Sequence, residues 1–354
     1  YQFDHGTAAG DNAGINTLLN SANPGTFTGL LNNFELDGAT SNWVGGAAPA
    51  SRLYVNAAAT GTNNGSSWAD AFTNLQDALS AVSCNITEIW VAAGTYKPDQ
   101  GVGYTAGNRG HSFVMKNGVA IYGGFAGTET LLPQRDWATN VTTLSGDIGT
   151  VGSNTDNSFR IINNSGLNSS AVLDGFTIRD AYNTSVVTGS QGGGMRNQNA
   201  SPTLVNCVFR NNHNGSHGGA VANDNSSPTF TNCLFINNFA NFTGGAIRTQ
   251  VGSPTLTNCT IAGNSAGLNG GAIGNSNFQG FTNTILKNCI VWGNTAPNNN
   301  PFFNNQGGTT TVTHSIVQGG YPGTGNLDLD PLFVNAANGN LRLQAASCAI
   351  NTGD

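Results

Sequence analysis

Short apolar segments alternate with polar turns along the chain, and between Gly192 and Asn294 this pattern repeats every 26 residues. Each repeat opens on a glycine pair and carries three segments of three to four residues, each with one or two apolar side chains. In the repeat 244–269, apolar and β-branched residues predict strands at 246–249, 255–257 and 259–261, separated by Gly, Pro and Asn. A fixed period of this length predicts stacked supersecondary units, and Gly and Asn at this density oppose a helical repeat.

The predicted fold class is all-β, a right-handed parallel β-helix (solenoid) with three strands per coil. Strands this short cannot bury their apolar side chains alone, whereas stacked coils bury them along a common axis. The strand pattern continues with a weaker period toward the N-terminus, where Phe176 takes the position of the repeat cysteine. About 300 residues at roughly 26 per coil predict about eleven coils. The β-helix domain is expected at 51–354, with its most regular coils over 192–295.

One cysteine recurs at the same position of every repeat. Stacking places these cysteines in a column about 4.8 Å apart, with parallel Cβ vectors that do not suit disulfide bonds. They are expected to be free, buried thiols that act as small hydrophobic side chains, since no CxxC spacing or recurring histidine supports a metal site. A disulfide bond between Cys84 and Cys348 stays open. The column consists of Cys207, Cys233, Cys259 and Cys289.

Asparagines recur with the cysteines. One precedes each cysteine and is predicted to form a corner, because Asn tolerates the left-handed conformation. Another follows five residues later, and stacked asparagines can bond from coil to coil. The glycine pairs predict a positive φ or a close backbone approach. The two asparagine sets are Asn206, Asn232, Asn258, Asn288 and Asn212, Asn238, Asn264, Asn294.

The N-terminal part departs from the coil pattern. Residues 1–50 follow no period and are predicted to be an N-terminal extension. Ser67 and Asp70 have the spacing of a helix start, and the apolar residues that follow fall on one helical face. We therefore predict one capping α-helix at about 67–82 over the first coil. Because an open β-helix has exposed strand edges at its ends, self-association into a fibre or filament is a further hypothesis.

Composition and charge narrow the possible functions. A net charge of −6 with 12 scattered Lys and Arg residues argues against nucleic-acid binding. No apolar run reaches the roughly 18 residues of a transmembrane helix. The chain starts at Tyr1 without Met and is poor in lysine, so we expect a processed fragment of a secreted protein, located extracellularly or at the cell surface.

Several motifs resemble known proteins. The segments 53–56, 65–68, 89–96, 123–129, 173–178, 330–333 and 347–354 are similar to those of secreted bacterial right-handed parallel β-helix repeat proteins. The GGA(I/V) openings, together with Phe209–Asn212 and Phe235–Asn238, resemble the GGAI and FxxN repeats of polymorphic outer membrane proteins. Over roughly residues 52–354, the resemblance implies export and an adhesive or structural role. It also implies further coils or an anchoring domain beyond Asp354.

The distribution of acidic residues bears on catalysis. Hydrolases with this fold need two or three carboxylates within reach of one another, and lyases need a base plus Arg or Lys, often with Ca²⁺. The regular repeats hold a single acid, Asp224, while Arg196 and Arg248 share one position two coils apart. Asp174 is interpreted as a corner residue, and His213 and His217 as parts of a solvated turn. The remaining acids considered are Asp147, Asp156, Asp180, Asp328 and Asp330, of which the last two are interpreted as turn residues, with Ca²⁺ binding as the alternative.

We therefore expect a non-catalytic structural or adhesive β-helix protein with no catalytic, cofactor-binding or metal-binding residue. Its partners would be a glycan, a host or cell-surface ligand, or further copies of itself. The alternative is a polysaccharide lyase or a glycoside hydrolase of the β-helix type, so enzymatic activity stays open.

Overall fold

The computed structural model describes residues 17–19, 28–30, 52–187, 191–276, 280–298, 301–336 and 339–350. The chain divides into two compact units, Tyr1–Ser51 and Arg52–Asp354. In the first unit, strands β1 (Thr17–Leu19) and β2 (Thr28–Leu30) pair antiparallel. The rest of the predicted extension 1–50 lies outside the described residues.

The regular elements of the second unit are almost all short strands. The first are β3 (Arg52–Val55), β4 (Glu88–Ala92), β5 (Gly94–Tyr96), β6 (Ala120–Phe125), β7 (Thr142–Ser145), β8 (Ile162–Ser165), β9 (Val172–Asp174), β10 (Phe176–Arg179) and β11 (Tyr182–Asn183). The regular repeats contribute β12 (Met195–Gln198), β13 (Thr203–Val205), β14 (Val208–Arg210), β15 (His213–Asn214), β16 (Val221–Asp224), β17 (Thr229–Thr231), β18 (Leu234–Ile236), β19 (Phe239–Ala240), β20 (Ile247–Gln250), β21 (Thr255–Thr257), β22 (Thr260–Ala262) and β23 (Ser265–Ala266). The last are β24 (Ile273–Ser276), β25 (Asn283–Lys287), β26 (Ile290–Trp292), β27 (Phe302–Asn305), β28 (Thr309–Thr313), β29 (Ile316–Val317), β30 (Phe333–Asn335) and β31 (Asn340–Leu343). The helical elements are α1 (Leu75–Ser80) and the 3-10 turns Leu132–Gln134 and Asn154–Asp156.

These strands stack into parallel sheets, which confirms the right-handed parallel β-helix with three main strands per coil. Sheet A has nine strands (β3-β4-β6-β9-β13-β17-β21-β25-β28), sheet B eight (β5-β7-β10-β14-β18-β22-β26-β29) and sheet C six (β8-β12-β16-β20-β24-β27). A fourth set of two-residue strands, sheet D (β11-β15-β19-β23), was not predicted. β30 and β31 form an antiparallel hairpin.

The regular coils keep the predicted register. Leu204 pairs with Phe230 and Phe230 with Leu256, one period apart. Leu256 then pairs with Leu286, so the four-residue insertion is looped out without shifting the strand. The rod has about eight turns where about eleven were predicted. The early coils are longer, since Arg52 pairs with Glu88 and Ala120 with Val172.

Apolar side chains from all coils fill the axis of the solenoid. The inward positions of sheets A and B are occupied by buried Leu, Ile, Val and Phe, and Phe209 and Phe235 stack with ring centroids 5.2 Å apart. Among the described residues, no helix is long and apolar enough to cross a membrane.

The cysteine column lies in this core. Cys207, Cys233, Cys259 and Cys289 are buried and free, as predicted, and each thiol donates to the carbonyl oxygen of the residue two positions earlier at 3.2–3.4 Å. Burial raises the pKa of the Cys233 and Cys289 thiols well above the ordinary range. Cys84 is exposed and Cys348 half-buried, and neither forms a disulfide bond, so they are not bonded to each other.

This burial predicts a clear separation of thiol reactivity. In the folded protein, an excess of a thiol-specific reagent should modify Cys84 fully and Cys348 partly, because a thiolate must form and be reachable to react. The four column thiols should react only on unfolding in denaturant, to a total of six. Mass spectrometry of the time course checks this, and equal modification of all six in native buffer would contradict the stacking.

Two asparagine ladders run inside the solenoid. In the turn ladder (Asn212, Asn238, Asn264, Asn294), each Nδ2 donates to the Oδ1 of the next coil at 2.9–3.0 Å. The sheet C ladder (Asn164, Asn197, Asn223) repeats this at 2.9–3.0 Å. Such buried amides are acceptable because their partners satisfy them.

The predicted corner asparagines adopt the left-handed conformation, with φ between 51° and 55° at Asn206, Asn232, Asn258 and Asn288. Asn232 donates to Asn206 at 3.3 Å, and Asn206 donates to the Asp174 carboxylate at 2.9 Å. Asp174 pairs with Val205, so the corner position is taken by Gly175 (φ 82°). The interpretation of Asp174 as the corner residue is therefore wrong by one position. Its carboxylate ends the row of corner asparagines and binds Arg135.

The N-terminal edge of sheet A is covered by chain. The predicted helix at 67–82 is reduced to α1 (Leu75–Ser80), because the preceding segment pairs with β3 instead: Asn56 N–H bonds Phe72 O at 2.8 Å, and Tyr54 N–H bonds Gly65 O at 2.9 Å. The Ser67 hydroxyl accepts the Asp70 N–H at 3.1 Å, which closes a turn rather than a helix. α1 buries Leu75, Gln76, Ala78 and Leu79.

The C-terminal edge of sheet A is also covered. Asn326 Nδ2 donates to Val312 O of β28 at 2.8 Å, and the Tyr321 hydroxyl donates to Thr310 O at 3.3 Å. The Tyr321 ring packs edge-on against Phe302 at 4.8 Å. At β3 and β28, therefore, the edges are not free to add a strand from another copy.

Candidate functional site

The outer face of sheet C carries the densest charge of the regular coils. Alternate residues of β12, β16 and β20 point inward, and the others point outward. The outward positions therefore bring polar and charged side chains of three stacked coils onto one surface. These side chains are Arg196, Gln198, Asp224, Arg248 and Gln250.

Asp224 bridges the two arginines that share one position two coils apart. Arg196 Nε lies 3.2 Å from Oδ2, and Arg248 Nη1 lies 2.8 Å from Oδ1. Strand pairing places Ala222 directly between the two arginines. Asp224 lies two residues further along the same strand, so its carboxylate is a diagonal neighbour of both arginines. The Arg248 side chain is only 7% exposed and also binds Gln250 and Ser276. Both carboxylate oxygens are thus engaged by guanidinium groups.

A third arginine approaches from the preceding coil. Arg160 donates from Nε to Gly192 O at 3.0 Å and from Nη2 to Gln191 O at 2.6 Å. Burial lowers the pKa of Arg160 to about 10, with a further contribution from Arg196. At neutral pH it is still protonated. Three guanidinium groups and one carboxylate therefore leave this surface positive in a chain that is acidic as a whole.

Beside these side chains runs a groove, which we call the sheet C groove, with a volume of about 360 Å³. Amide side chains make up most of its wall, and Asp224 is its one carboxylate among the described residues. Its lining consists of Gln191, Arg196, Gln198, Asn199, Asp224, Asn225, Gln250 and Val251.

The groove is suited to binding rather than to acid–base chemistry. Within the described part of the chain, no group accepts a hydrogen bond from the two Nη atoms of Arg196, a residue that lines the groove. Guanidinium forks bind carboxylate and sulfate groups, and amides bind hydroxyl groups. A hydrolase needs a second carboxylate near the first, and the described lining of the groove provides none.

The other predicted acids lie elsewhere. Asp328 and Asp330 accept backbone N–H groups of Gly319 and Leu332 at 3.0 and 2.8 Å, as turn residues do. Asp180 pairs with the adjacent Arg179, and Asp147 and Asp156 lie in one loop. Among the described residues, no group of three or more His, Cys, Asp or Glu side chains could hold a metal ion.

The interpretation of His213 and His217 as a solvated turn is wrong. His213 lies in β15, and its ring stacks between those of Tyr182 and Phe239 at 4.5 and 4.8 Å. His217 packs on Phe242 and bonds the Thr243 hydroxyl at 2.7 Å. Burial lowers the pKa of both, that of His217 to about 4 with a further contribution from Arg248.

Comparisons with known proteins show no family for this chain. No family model matches it, and no curated protein matches it. One solved structure, the crystal structure of the pectate lyase Pel9A, aligns with 86% of this chain and 91% of that chain at 16% identity and a TM-score of 0.43. The fold assignment stands on the strand pairing of this chain.

Proposed function

We propose that this chain is a non-catalytic β-helix protein of the cell surface or the extracellular space, in which the sheet C groove binds an acidic glycan. The supporting observation is the Arg196–Asp224–Arg248 cluster, in which one carboxylate is shared by two guanidinium groups and Arg196, which lines the groove, has Nη donors without an acceptor among the described residues. Uronate or sulfate groups on a chain of hydroxyl-bearing rings match this combination of guanidinium and amide donors. An adhesive or structural role fits a rigid scaffold with such a surface.

Binding should depend on charge and on Arg196. We expect folded protein to bind polygalacturonate more tightly than uncharged dextran, and to lose affinity as salt rises from 0.05 to 0.5 M, because salt screens exposed charges. Arg196→Gln should weaken binding about tenfold, equivalent to about 1.4 kcal/mol. Isothermal titration calorimetry against both polymers measures this.

Arg342→Gln is the matched control, because Arg342 is an exposed arginine of β31, outside the groove. This variant should bind like the wild-type chain. Equal losses in both variants would show that only net charge matters, and the groove would then have no special role. Absence of saturable binding to both polymers would count against the glycan proposal.

The alternative is a polysaccharide lyase or hydrolase, and one observation favours the lyase: the Arg196 guanidinium lines the groove, where it could neutralise a uronate carboxylate beside a scissile bond. The absorbance of unsaturated products and the release of reducing ends from the same polymers distinguish the alternatives. We expect neither. Activity that the wild-type chain shows and the Arg196→Gln variant lacks would mean that the groove is a catalytic site, and it would overturn the non-catalytic proposal.

Self-association stays a prediction, but covered edges at β3 and β28 mean that contacts between copies would have to use other surfaces.

A further inference from the structure

The loop between β7 and β8 closes on itself through a narrow neck. Ser158 N–H bonds Gly146 O at 2.8 Å, which joins the residue before Asp147 to the residues after Asp156. Within the loop, Asp147 Oδ2 accepts the Gly152 N–H at 3.0 Å, and Asp156 Oδ2 accepts the Thr150 N–H at 2.7 Å. Both carboxylates are therefore held against the same short stretch of backbone.

The remaining oxygens of this neck lack partners. Asp147 Oδ1, Asp156 Oδ1, Asn157 Oδ1 and Ser158 Oγ are shielded from solvent, and none has a hydrogen-bond partner among the described residues. Asn157 is 2% exposed and Ser158 is fully buried. Asn157 Nδ2 does have a partner, Asp180 O at 2.8 Å, which orients the amide and leaves its oxygen without one.

Such a set of unpartnered oxygens is unusual. A buried polar atom without a partner destabilises the folded state, and four of the seven such side-chain atoms in the described structure fall within 147–158. The two carboxylates also have no Lys, Arg or His within ion-pair distance among the described residues. The nearby Arg109 guanidinium is committed to Asn157 O and Tyr182 O at 2.6 and 2.8 Å. Among the described residues, no cationic side chain therefore offsets the negative charge of these two carboxylates.

We propose that the neck of the loop 147–158 binds one Ca²⁺ ion through Asp147, Asp156, Asn157 and Ser158. Ca²⁺ takes six to eight oxygen ligands in flexible geometry, drawn from carboxylates, amide and backbone carbonyls and water. Zn²⁺ does not fit, because the cluster offers no Cys or His ligand. The ion would satisfy the four oxygens together and neutralise both carboxylates.

Other acidic loops of the chain show what distinguishes this site. Asp136 also sits in a polar turn, but its Oδ1 accepts the Ala138 and Thr139 N–H groups at 2.9 and 3.2 Å, and its Oδ2 accepts the Thr139 hydroxyl at 2.8 Å. Asp99 has one unpartnered oxygen, but no other residue of its loop does. Only the loop 147–158, among the described residues, combines two such carboxylates with two buried neutral ligands.

The test is calorimetric titration of the chelator-treated full chain with CaCl₂, together with thermal unfolding in CaCl₂ and in EDTA. We expect one Ca²⁺ per chain with a Kd below about 1 mM and a higher Tm in Ca²⁺. Asp156→Asn should weaken Ca²⁺ binding at least tenfold. Failure of the wild-type chain to bind Ca²⁺ saturably up to 10 mM would overturn the proposal on its own, whether or not any variant folds.

Two control variants locate the ion. Asp136→Asn changes a carboxylate whose oxygens already have partners, and Asp328→Asn changes the turn that was the alternative Ca²⁺ position. Both should bind Ca²⁺ like the wild-type chain. If Asp328→Asn lost Ca²⁺ binding while Asp156→Asn retained it, the ion would lie outside this loop, and the proposal would be refuted. Glycan binding is measured on a different surface, so the two proposals can fail independently.

Discussion

Asn238→Ala should lower the free energy of unfolding of the β-helix by about 4 kcal/mol, since each buried group left without a partner costs about 1–3 kcal/mol. Asn238 is fully buried in the turn ladder. Its Nδ2 donates to Asn264 Oδ1 and to Phe209 O, both at 2.9 Å, while its Oδ1 accepts the backbone N–H and the Nδ2 of Asn212 at 3.1 and 3.0 Å. Truncation therefore removes hydrogen bonds to buried groups of the preceding coil and of the following coil.

Asn241→Ala is the matched control for this change. Asn241 lies three residues later in the same coil, is exposed, and has ordinary backbone φ, as does Asn238. The control should change stability by less than about 0.5 kcal/mol. Urea unfolding followed by intrinsic fluorescence gives both values, and similar small losses in the two variants would show that the ladder contributes little.

Gly219→Ala should destabilise the rod by about 3 kcal/mol, because it forces atoms into a filled space. A Cβ at Gly219 would lie 2.3 Å from Gly245 O and 2.5 Å from Phe239 O. Both are backbone atoms, which cannot move aside as a flexible side chain would. In the same way, a Cβ at Gly193 would lie 2.6 Å from Gly219 O, and a Cβ at Gly245 would lie 2.3 Å from Gly271 O. The glycine pair is thus required by how closely coils approach.

Gly166→Ala separates this effect from backbone strain. Gly166 has a φ of 67° but open space where a Cβ would be placed, whereas Gly219 does not have a positive φ. The strain of a left-handed alanine is about 1 kcal/mol. Thermal unfolding of the two variants should therefore show a much larger fall in Tm for Gly219→Ala. The reverse order would mean that conformation, and not close approach, selects glycine in these coils.

The regular coils were predictable because a single 26-residue period sets the position of each strand and corner in them. Once Leu204, Phe230 and Leu256 are spaced by 26 residues, their strands must pair in register, and the cysteines and corner asparagines follow. The length and number of the early coils were not predictable, because long loops such as the one that holds Asp147 and Asp156 have no period. The Ser67–Asp70 spacing misled because the same side-chain hydrogen bond forms in a turn and at a helix start.

The candidate site was only partly visible in the sequence. Arg196 and Arg248 share one position two coils apart, and Asp224 is the sole acid of the regular coils, which hinted at a cluster. The diagonal reach of Asp224 depends on strand register, and Arg160 comes from a coil outside the regular period. The inward asparagines of the sheet C ladder were missed because a polar residue in a short strand suggests an outward position. Comparison of Asn197 with Asn223 at the same repeat position could have revealed them.

The turn ladder also has a direction. From Asn212 to Asn264, each side-chain amide donates to the asparagine of the coil on its C-terminal side. The Asn238 Nδ2 also donates to the backbone oxygen of Phe209, which fixes the orientation of this amide. The Nδ2 donor of one coil therefore finds its ladder acceptor only when the next coil has folded. That next coil in turn presents its own Nδ2 donor, still without a ladder acceptor, to the coil that follows. The folded structure can grow one coil at a time from an existing end. During synthesis, each finished turn would act as the template on which the next 26 residues of the regular region are laid down.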